Sequence, residues 1–296
     1  MTASDEAPGE LTARVLESLT ACANPRLRAV LSSVVRHVHE CAVENTLTEA
    51  DLMEGIRFLT EVGHHCTDRR QEFILLSDTL GLSMLVDLIN HGTVSNATES
   101  TVLGPFYVPG APWRADGDPI TDDLGDEPLI VTGRVTGTKG QPLGGAIVDV
   151  WQNAPNRLYA VQDDAQDPDN LRGRFRTGTD GRFSFRTTRP VDYSIPDDGP
   201  VGRMLRATGR HPWRPAHIHL IVSADGFVPV TTHMFDAASA YLDSDVVFGV
   251  KRSLVHTFTR HDPTGEPSPE GIPGAWYTAE VDIVLQPAAA AAPTGA

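Results

Sequence analysis

Two periodicities divide the chain. In the first hundred residues apolar positions recur at helical spacing. Leu27, Val30, Leu31, Val34, Val35 and Val38 fall at i, i+3, i+4, i+7, i+8 and i+11, one stripe of an amphipathic helix. Asn24 supplies an N-cap, followed by Pro25 at the first helical position. Thr48 and Asp51 have the spacing of a second helix start, running on through Phe58 and Leu59, and the Asp51 carboxylate suits the positive end of the helix. A third helical pattern extends from Arg69 towards Asn90, with a break expected near Gly81. It stops at His91 and Gly92.

From Ile130 onward the period becomes two. Ile130 to Val135 and Ala146 to Trp151 read as strands, with Gly140 and the Gly144-Gly145 pair as turn punctuation. Arg174 to Thr177 and Arg182 to Arg186 flank Thr179-Asp180-Gly181, which reads as a hairpin loop. His217 to Val222, Val228 to Met234 and Val281 to Leu285 supply further strands. Short strands at close spacing predict a β-sandwich. The fold class expected is α+β: a helical N-terminal domain over residues 1–100, a β-sandwich over 101–287, and a disordered Ala/Pro-rich tail over 288–296.

Composition narrows the function classes. A chain of 296 residues can bury one large core or two smaller ones. Its net charge of −15, with no basic cluster, excludes a nucleic-acid partner, whose phosphates would repel it. No apolar run reaches the roughly 18 residues of a membrane span. The acidic stretch Met1 to Glu10 lacks the basic and apolar regions of a signal peptide. Cys22, Cys41 and Cys66 are odd in number and share no Cys-x-x-Cys spacing, so they read as free thiols in a reducing compartment, and a cytoplasmic location is expected.

The candidate chemistry centres on Arg214-Pro215-Ala216-His217-Ile218-His219. Successive side chains of a strand point to opposite faces, so His217 and His219 share one face while Ala216, Ile218, Leu220 and Val222 form a core-facing row. Two imidazoles on one face are half of a metal site; the alternative is a strand with two polar histidines turned to water. Among five tyrosines, Tyr159 follows the strand ending near Trp151, and Tyr193 lies between Pro190 and Pro196, which stiffen the backbone. A phenol with a pKa of about 10 becomes a ligand only under a strongly charged cation, and anionic oxygen donors suit Fe(III) better than Zn(II). Spacing alone does not select these two tyrosines.

The segment Val148 to Met234 resembles the intradiol ring-cleaving dioxygenases. Arg214 to His219, followed by Val222-Ser223-Ala224-Asp225-Gly226, is similar to that family's histidine-ligand strand and turn. Thr101 to Tyr107 resembles the entry to its catalytic domain. The resemblance implies one non-heme Fe(III) per chain, held by Tyr159, Tyr193, His217 and His219, with Tyr193 and His219 axial. Within the family it is closest to the hydroxyquinol 1,2-dioxygenases, on Asn170 to Phe175, Tyr193 to Pro196, Tyr241 to Lys251, and His233 where plain catechol enzymes usually carry glutamine.

The resemblance also implies roles. Tyr193 leaves the metal and takes a substrate proton, and Arg214 stabilises charge developing on the ring. Gly104, Pro105, Phe106, Ile195, Pro196 and Val247 line the pocket, Asp87 hydrogen-bonds the extra hydroxyl, and His233 stands behind the ligands as a hydrogen-bond partner. The expected partners are a catecholic substrate and O2. The N-terminal helices are expected to form a homodimer, with a phospholipid in an apolar tunnel between them. Catechol and chlorocatechol 1,2-dioxygenases are the nearest alternatives; a transthyretin-like binding module, without colour or O2 uptake, is the alternative of another class.

Overall fold

The computed structural model describes residues 7–92, 96–264, 269, 271–272 and 274–288. The expected tail, beyond its first residue, lies outside the described residues. Two compact units make up the chain, residues 1–61 and 62–296.

The first unit is helical, with α1 (Pro8–Ser18), α2 (Pro25–Glu44) and most of α3 (Glu49–His64). Both helix starts foreseen in the sequence are built as expected. Asn24 accepts the Leu27 N–H at 3.0 Å, ahead of Pro25 at the first helical position. Thr48 and Asp51 bond reciprocally: the Thr48 N–H donates to the Asp51 carboxylate at 2.9 Å, and the Asp51 N–H donates to the Thr48 hydroxyl at 3.2 Å. These bonds hold the Asp51 carboxyl below its ordinary pKa. Thr12 and His39, 2.9 Å apart, tie α1 to α2. The apolar stripe of α2 stays open: Leu27, Val30, Leu31, Val34 and Val38 are 39–59% exposed.

The second unit opens with α4 (Glu72–Thr79) and α5 (Leu82–His91). Gly81 separates them at φ +75°, a left-handed conformation that breaks the helix where the sequence indicated. The sandwich follows, from β1 (Pro128–Gly137), β2 (Ile147–Gln152), β3 (Arg172–Arg176), β4 (Arg182–Thr188), β7 (His217–Ser223), β8 (Val230–Asp236), β9 (Val255–His256), β10 (Thr259–His261) and β11 (Trp276–Leu285). One sheet has the order β10-β11-β1-β4 and the other β3-β2-β7-β8-β9. The first strand runs parallel to the last, Leu129 beside Tyr277 through Gly137 beside Leu285.

Alternation builds the core. Leu129, Val131, Phe183, Phe185 and Ile283 come from one sheet, and Val148, Val150, Ile218, Leu220 and Val222 from the other. A short ribbon, β5 (Tyr193–Ser194) with β6 (Trp213–Arg214), stands apart from both sheets. The helix α6 (Pro200–Ala207) lies between its strands in sequence. Neither ribbon nor helix was visible in the period-two pattern.

The hairpin expected at Thr179-Asp180-Gly181 is corrected by the topology. Arg174 to Arg176 lie in β3, which pairs with β2, whereas β4 pairs with β1 in the opposite sheet. The loop therefore crosses from sheet to sheet. Its two ends are captured separately. The Thr177 hydroxyl accepts from the Ala146 N–H and donates to the Leu143 carbonyl, while the Gly181 carbonyl accepts from the Val135 N–H of β1. Phe175 and Phe185 then stack across the core, centroids 5.5 Å apart.

Gly133 occupies the middle of β1, where a Cβ would collide with the Val281 carbonyl and the Phe183 ring. Gly133→Ala is expected to destabilise the protein by about 1–3 kcal/mol through overpacking. Urea unfolding checks this, and an unchanged midpoint would contradict the packing described.

Candidate metal centre and active site

β7 places His217 and His219 on the face opposite Ile218, Leu220 and Val222. At the histidines that face does not meet water: each is 1% exposed. Neighbouring strands supply its lining, since residues directly opposite on paired strands share a face. Trp151 of β2 lies beside His219 and stacks on it with centroids 4.5 Å apart, and His233 of β8 lies on the other side.

The tyrosines arrive from irregular chain. Tyr193 pairs with Arg214 across the β5–β6 ribbon. Its neighbour Asp192 accepts the Ala216 N–H at 2.8 Å, which fixes the ribbon to the start of β7. Tyr159 follows Arg157, held at φ +71°, and its backbone N–H is caught by the Gln162 side chain at 3.0 Å. Phe106 stacks on the Tyr159 ring at 4.8 Å. Gly104 passes so close that a Cβ there would touch the His219 ring at 3.7 Å.

Four donor atoms converge. Tyr159 Oη lies 2.9 Å from His219 Nε2 and 3.3 Å from Tyr193 Oη, and His217 Nε2 lies 3.0 Å from His219 Nε2. The His217 Nδ1–H donates to the Pro215 carbonyl at 2.6 Å, so the Nε2 of the neutral ring carries a lone pair. His219 Nδ1 has no hydrogen-bond partner, and its Nε2 faces the His217 lone pair. Burial, reinforced by the Arg214 charge, pushes the pKa of His217 well down; burial, His217 and Arg214 do the same to His219. Burial and the neighbouring Tyr193 hold the Tyr159 phenol well above its ordinary value.

This donor set fits a cation. Ligands about 2.1 Å from one ion and at right angles to each other stand about 3 Å apart. A shared cation replaces crowding between imidazole nitrogens with coordination, and it lowers the Tyr159 pKa that burial raises. Two oxygen and two nitrogen donors with a 3+ ion suit ferric iron. His217, His219 and His233 also form a cluster with ligand nitrogens within 4.8 Å of one another. His233 packs against both, 4.6 Å from the His217 ring and 4.1 Å from the His219 ring. Neither His233 nitrogen makes a well-formed hydrogen bond.

Arg214 is 2% exposed and faces the cluster edge-on. Its Nη1 stands 3.3 Å from His217 Nε2 and 3.5 Å from Tyr193 Oη. Burial opposes its charge, but the Asp245 carboxylate, together with Tyr193 and Tyr159, raises the guanidinium's pKa on balance.

Ile195 and Val247 are buried, and Pro105 and Pro196 are half-buried. The Asp87 carboxylate is engaged by its neighbours: it accepts from Lys251 Nζ at 2.9 Å and pairs with His91 Nδ1 at 2.9 Å. It lines a groove of about 970 Å³ that extends to Thr232 and His233. A carboxyl that the sequence reading passed over, Asp78 of α4, is 3% exposed and feels the Arg214 charge; burial pushes its pKa up. Asp245 was passed over as well, because nothing in the pattern pairs it with an arginine so far upstream.

The comparisons agree with this geometry. The family model described as Dioxygenase matches residues 102–287, and that described as Catechol dioxygenase N terminus matches residues 24–98. A hydroxyquinol 1,2-dioxygenase of a Rhizobium species is 49% identical, over 92% of this chain and 92% of its own. A catechol 1,2-dioxygenase of Candida albicans is 42% identical, over 85% of this chain and 84% of its own. The crystal structure of a hydroxyquinol 1,2-dioxygenase from Pseudomonas putida superposes with a TM-score of 0.88 at 45% identity, covering 95% of this chain and 99% of that one. From helical N-terminal region to buried histidine strand, the chain belongs to the intradiol ring-cleaving dioxygenases.

Proposed function

We propose that this chain is an Fe(III)-dependent dioxygenase that cleaves hydroxyquinol (benzene-1,2,4-triol) between its adjacent hydroxyls. Both atoms of O2 enter the product, 3-hydroxy-cis,cis-muconate, the tautomer of maleylacetate. The observation that carries the reading is the convergence of Tyr159, Tyr193, His217 and His219 donors in a dry pocket. The names of the Rhizobium and Pseudomonas putida relatives support the triol as substrate. Catechol is the second reading, favoured by the Candida relative.

A ferric ion held by these four residues would supply a Lewis acid to which an adjacent diol could bind through both oxygens, with its ring left electron-rich towards O2. The protein's own groups do the rest. Tyr159 and Tyr193 enter as phenolates, while His217 and His219 enter neutral, the state that burial already favours. Tyr193 Oη is our candidate to receive a diol proton. The Arg214 guanidinium, 3.5 Å from that oxygen, balances negative charge on the substrate. Gly104, Pro105, Phe106, Ile195, Pro196 and Val247 form the walls and exclude water. His233 backs the ligand pair by packing.

For the extra hydroxyl, Asp78 takes the role that the sequence suggested for Asp87, because Asp87 is already committed to Lys251 and His91. The exposed stripe on α2 supports a homodimer through the helical region, and its apolar side chains are of the kind that would meet a phospholipid tail. Among the described residues no helix is long and apolar enough to cross a membrane, and a cytoplasmic location accords with three free cysteines.

The purified protein is expected to be red and to carry one iron per chain by metal analysis. Tyr159→Phe and His217→Ala should lose iron and the visible band together; full iron in both, with unchanged absorption, would reject the ligand set. Steady-state O2 uptake should favour hydroxyquinol over catechol by about tenfold or more, and Asp78→Ala should erase about that much discrimination while Asp87→Ala leaves it. A preference for catechol would overturn the substrate and keep the family. Light scattering at micromolar concentration should give twice the 31.9 kDa chain mass; a clean monomer would refute the dimer.

A further inference from the structure

The guanidinium of Arg214 has two edges, and they face different things. One edge, Nη1, looks onto Tyr193 Oη and His217 Nε2. The other is clamped: Nε donates to Asp245 Oδ1 at 3.0 Å and Nη2 donates to Asp245 Oδ2 at 3.1 Å. This is the parallel two-bond geometry that matches a planar fork to a carboxylate, and it fixes the plane of the guanidinium as well as its position. Both partners are almost fully buried, their side chains 3% and 2% exposed.

Asp245 is itself held from the far side. The Val247 N–H donates to Oδ1 at 3.3 Å and the Gly249 N–H donates to Oδ2 at 3.0 Å. Each carboxylate oxygen thus accepts one bond from the guanidinium and one from the backbone. Phe248, between the two donors, sits at φ +59°, a conformation uncommon for a bulky residue. The loop is strained at that residue, and two successive odd-numbered N–H groups turn inward to the carboxylate. Gly249 closes the cradle. Its carbonyl accepts from the Thr101 hydroxyl at 2.7 Å, and a Cβ there would stand 2.9 Å from Arg214 Nη2.

We infer that Asp245 is a positioning residue for ring cleavage: with the Val247–Gly249 loop it aims the free edge of Arg214 at the metal ligands and at substrate bound beside them. The inference rests on the proposed function, in which Arg214 acts on substrate charge. A salt bridge that served stability alone would need no particular aim. Here the loop that carries Val247, a pocket wall residue, also sets the plane of the guanidinium.

The test compares Asp245→Asn, Gly249→Ala, Arg214→Ala and the Arg214→Ala/Asp245→Asn double variant, as full-length iron-loaded protein. Each is scored against wild type on whichever adjacent diol wild type turns over fastest, so a wrong substrate leaves the comparison intact. Asp245→Asn keeps the shape and removes the charge. It should retain iron and the visible band, with kcat down by about tenfold or more and KM moved by less than about threefold. Arg214→Ala should lose about a hundredfold, and adding Asp245→Asn to it should cost less than about twofold more, because the carboxylate then has nothing to aim. Gly249→Ala moves the guanidinium without touching any charge, and should also retain iron while losing kcat.

A readout independent of turnover is the unfolding midpoint of the iron-free proteins. The double variant should be more stable than Arg214→Ala, since Asn relieves a buried negative charge that has lost its counter-ion. Wild-type kcat in iron-replete Asp245→Asn, or a loss that multiplies in full onto Arg214→Ala, overturns the assignment. If Asp245→Asn fails to hold iron, Gly249→Ala decides: near-normal kcat there also overturns it.

Discussion

At its His217–Leu220 end strand β7 is buried on both sides, and the two sides are chemically opposite. On one, Ile218, Leu220 and Val222 are part of the sandwich core. On the other, His217 and His219 meet a wall of Trp151, His233 and Phe235 at the same low exposure. A strand can bury polar side chains only where something answers their lone pairs. The His217 Nδ1–H has its acceptor in the Pro215 carbonyl, but the inward-facing nitrogens have one another, the phenols and, at His217 Nε2, a single Arg214 N–H. The second interior is therefore shaped by a demand for positive charge, and every later feature of the site can be traced to it.

Arg214 meets part of that demand from the edge. It adds a full charge beside the ligands, which lowers the pKa of both histidines and opposes the rise at Tyr159. An unpartnered guanidinium at this depth would be costly. Asp245 offsets it from the side away from the ligands, so the pair is close to neutral at long range while its positive end still faces the cluster. Burial, charge and aim are settled together by one loop.

Much of this was legible in the chain, and the reason is periodicity. Helical spacing located α2, the Thr48–Asp51 box located α3, and Gly81 marked the break between α4 and α5. Alternation located β7 and assigned its faces correctly. What alternation cannot see is an element too short to have a period: the β5–β6 ribbon, two residues in each strand, carries Tyr193 and Arg214. Nor does spacing identify which sheet a strand joins, so Arg182 to Arg186 read as the return arm of a hairpin when Val135 and Gly181 take it across the core. Tyr159 and Tyr193 needed family resemblance, and Asp78 and Asp245 needed the fold, because their partners are distant in sequence.

The order of strands has a consequence for synthesis. β1 lies between β4 and β11, so one of its edges is occupied only when the last strand has been made. The histidine strand sits among β2, β3 and β8, all of which leave the ribosome earlier. A nascent chain stopped before Trp276 already holds every strand of the sheet that bears the histidines, but leaves unpaired the backbone edge of β1 that β11 covers. Such an edge templates pairing with other chains. The ligand-bearing half of the sandwich thus waits, during translation, for a strand that supplies none of the four donor residues.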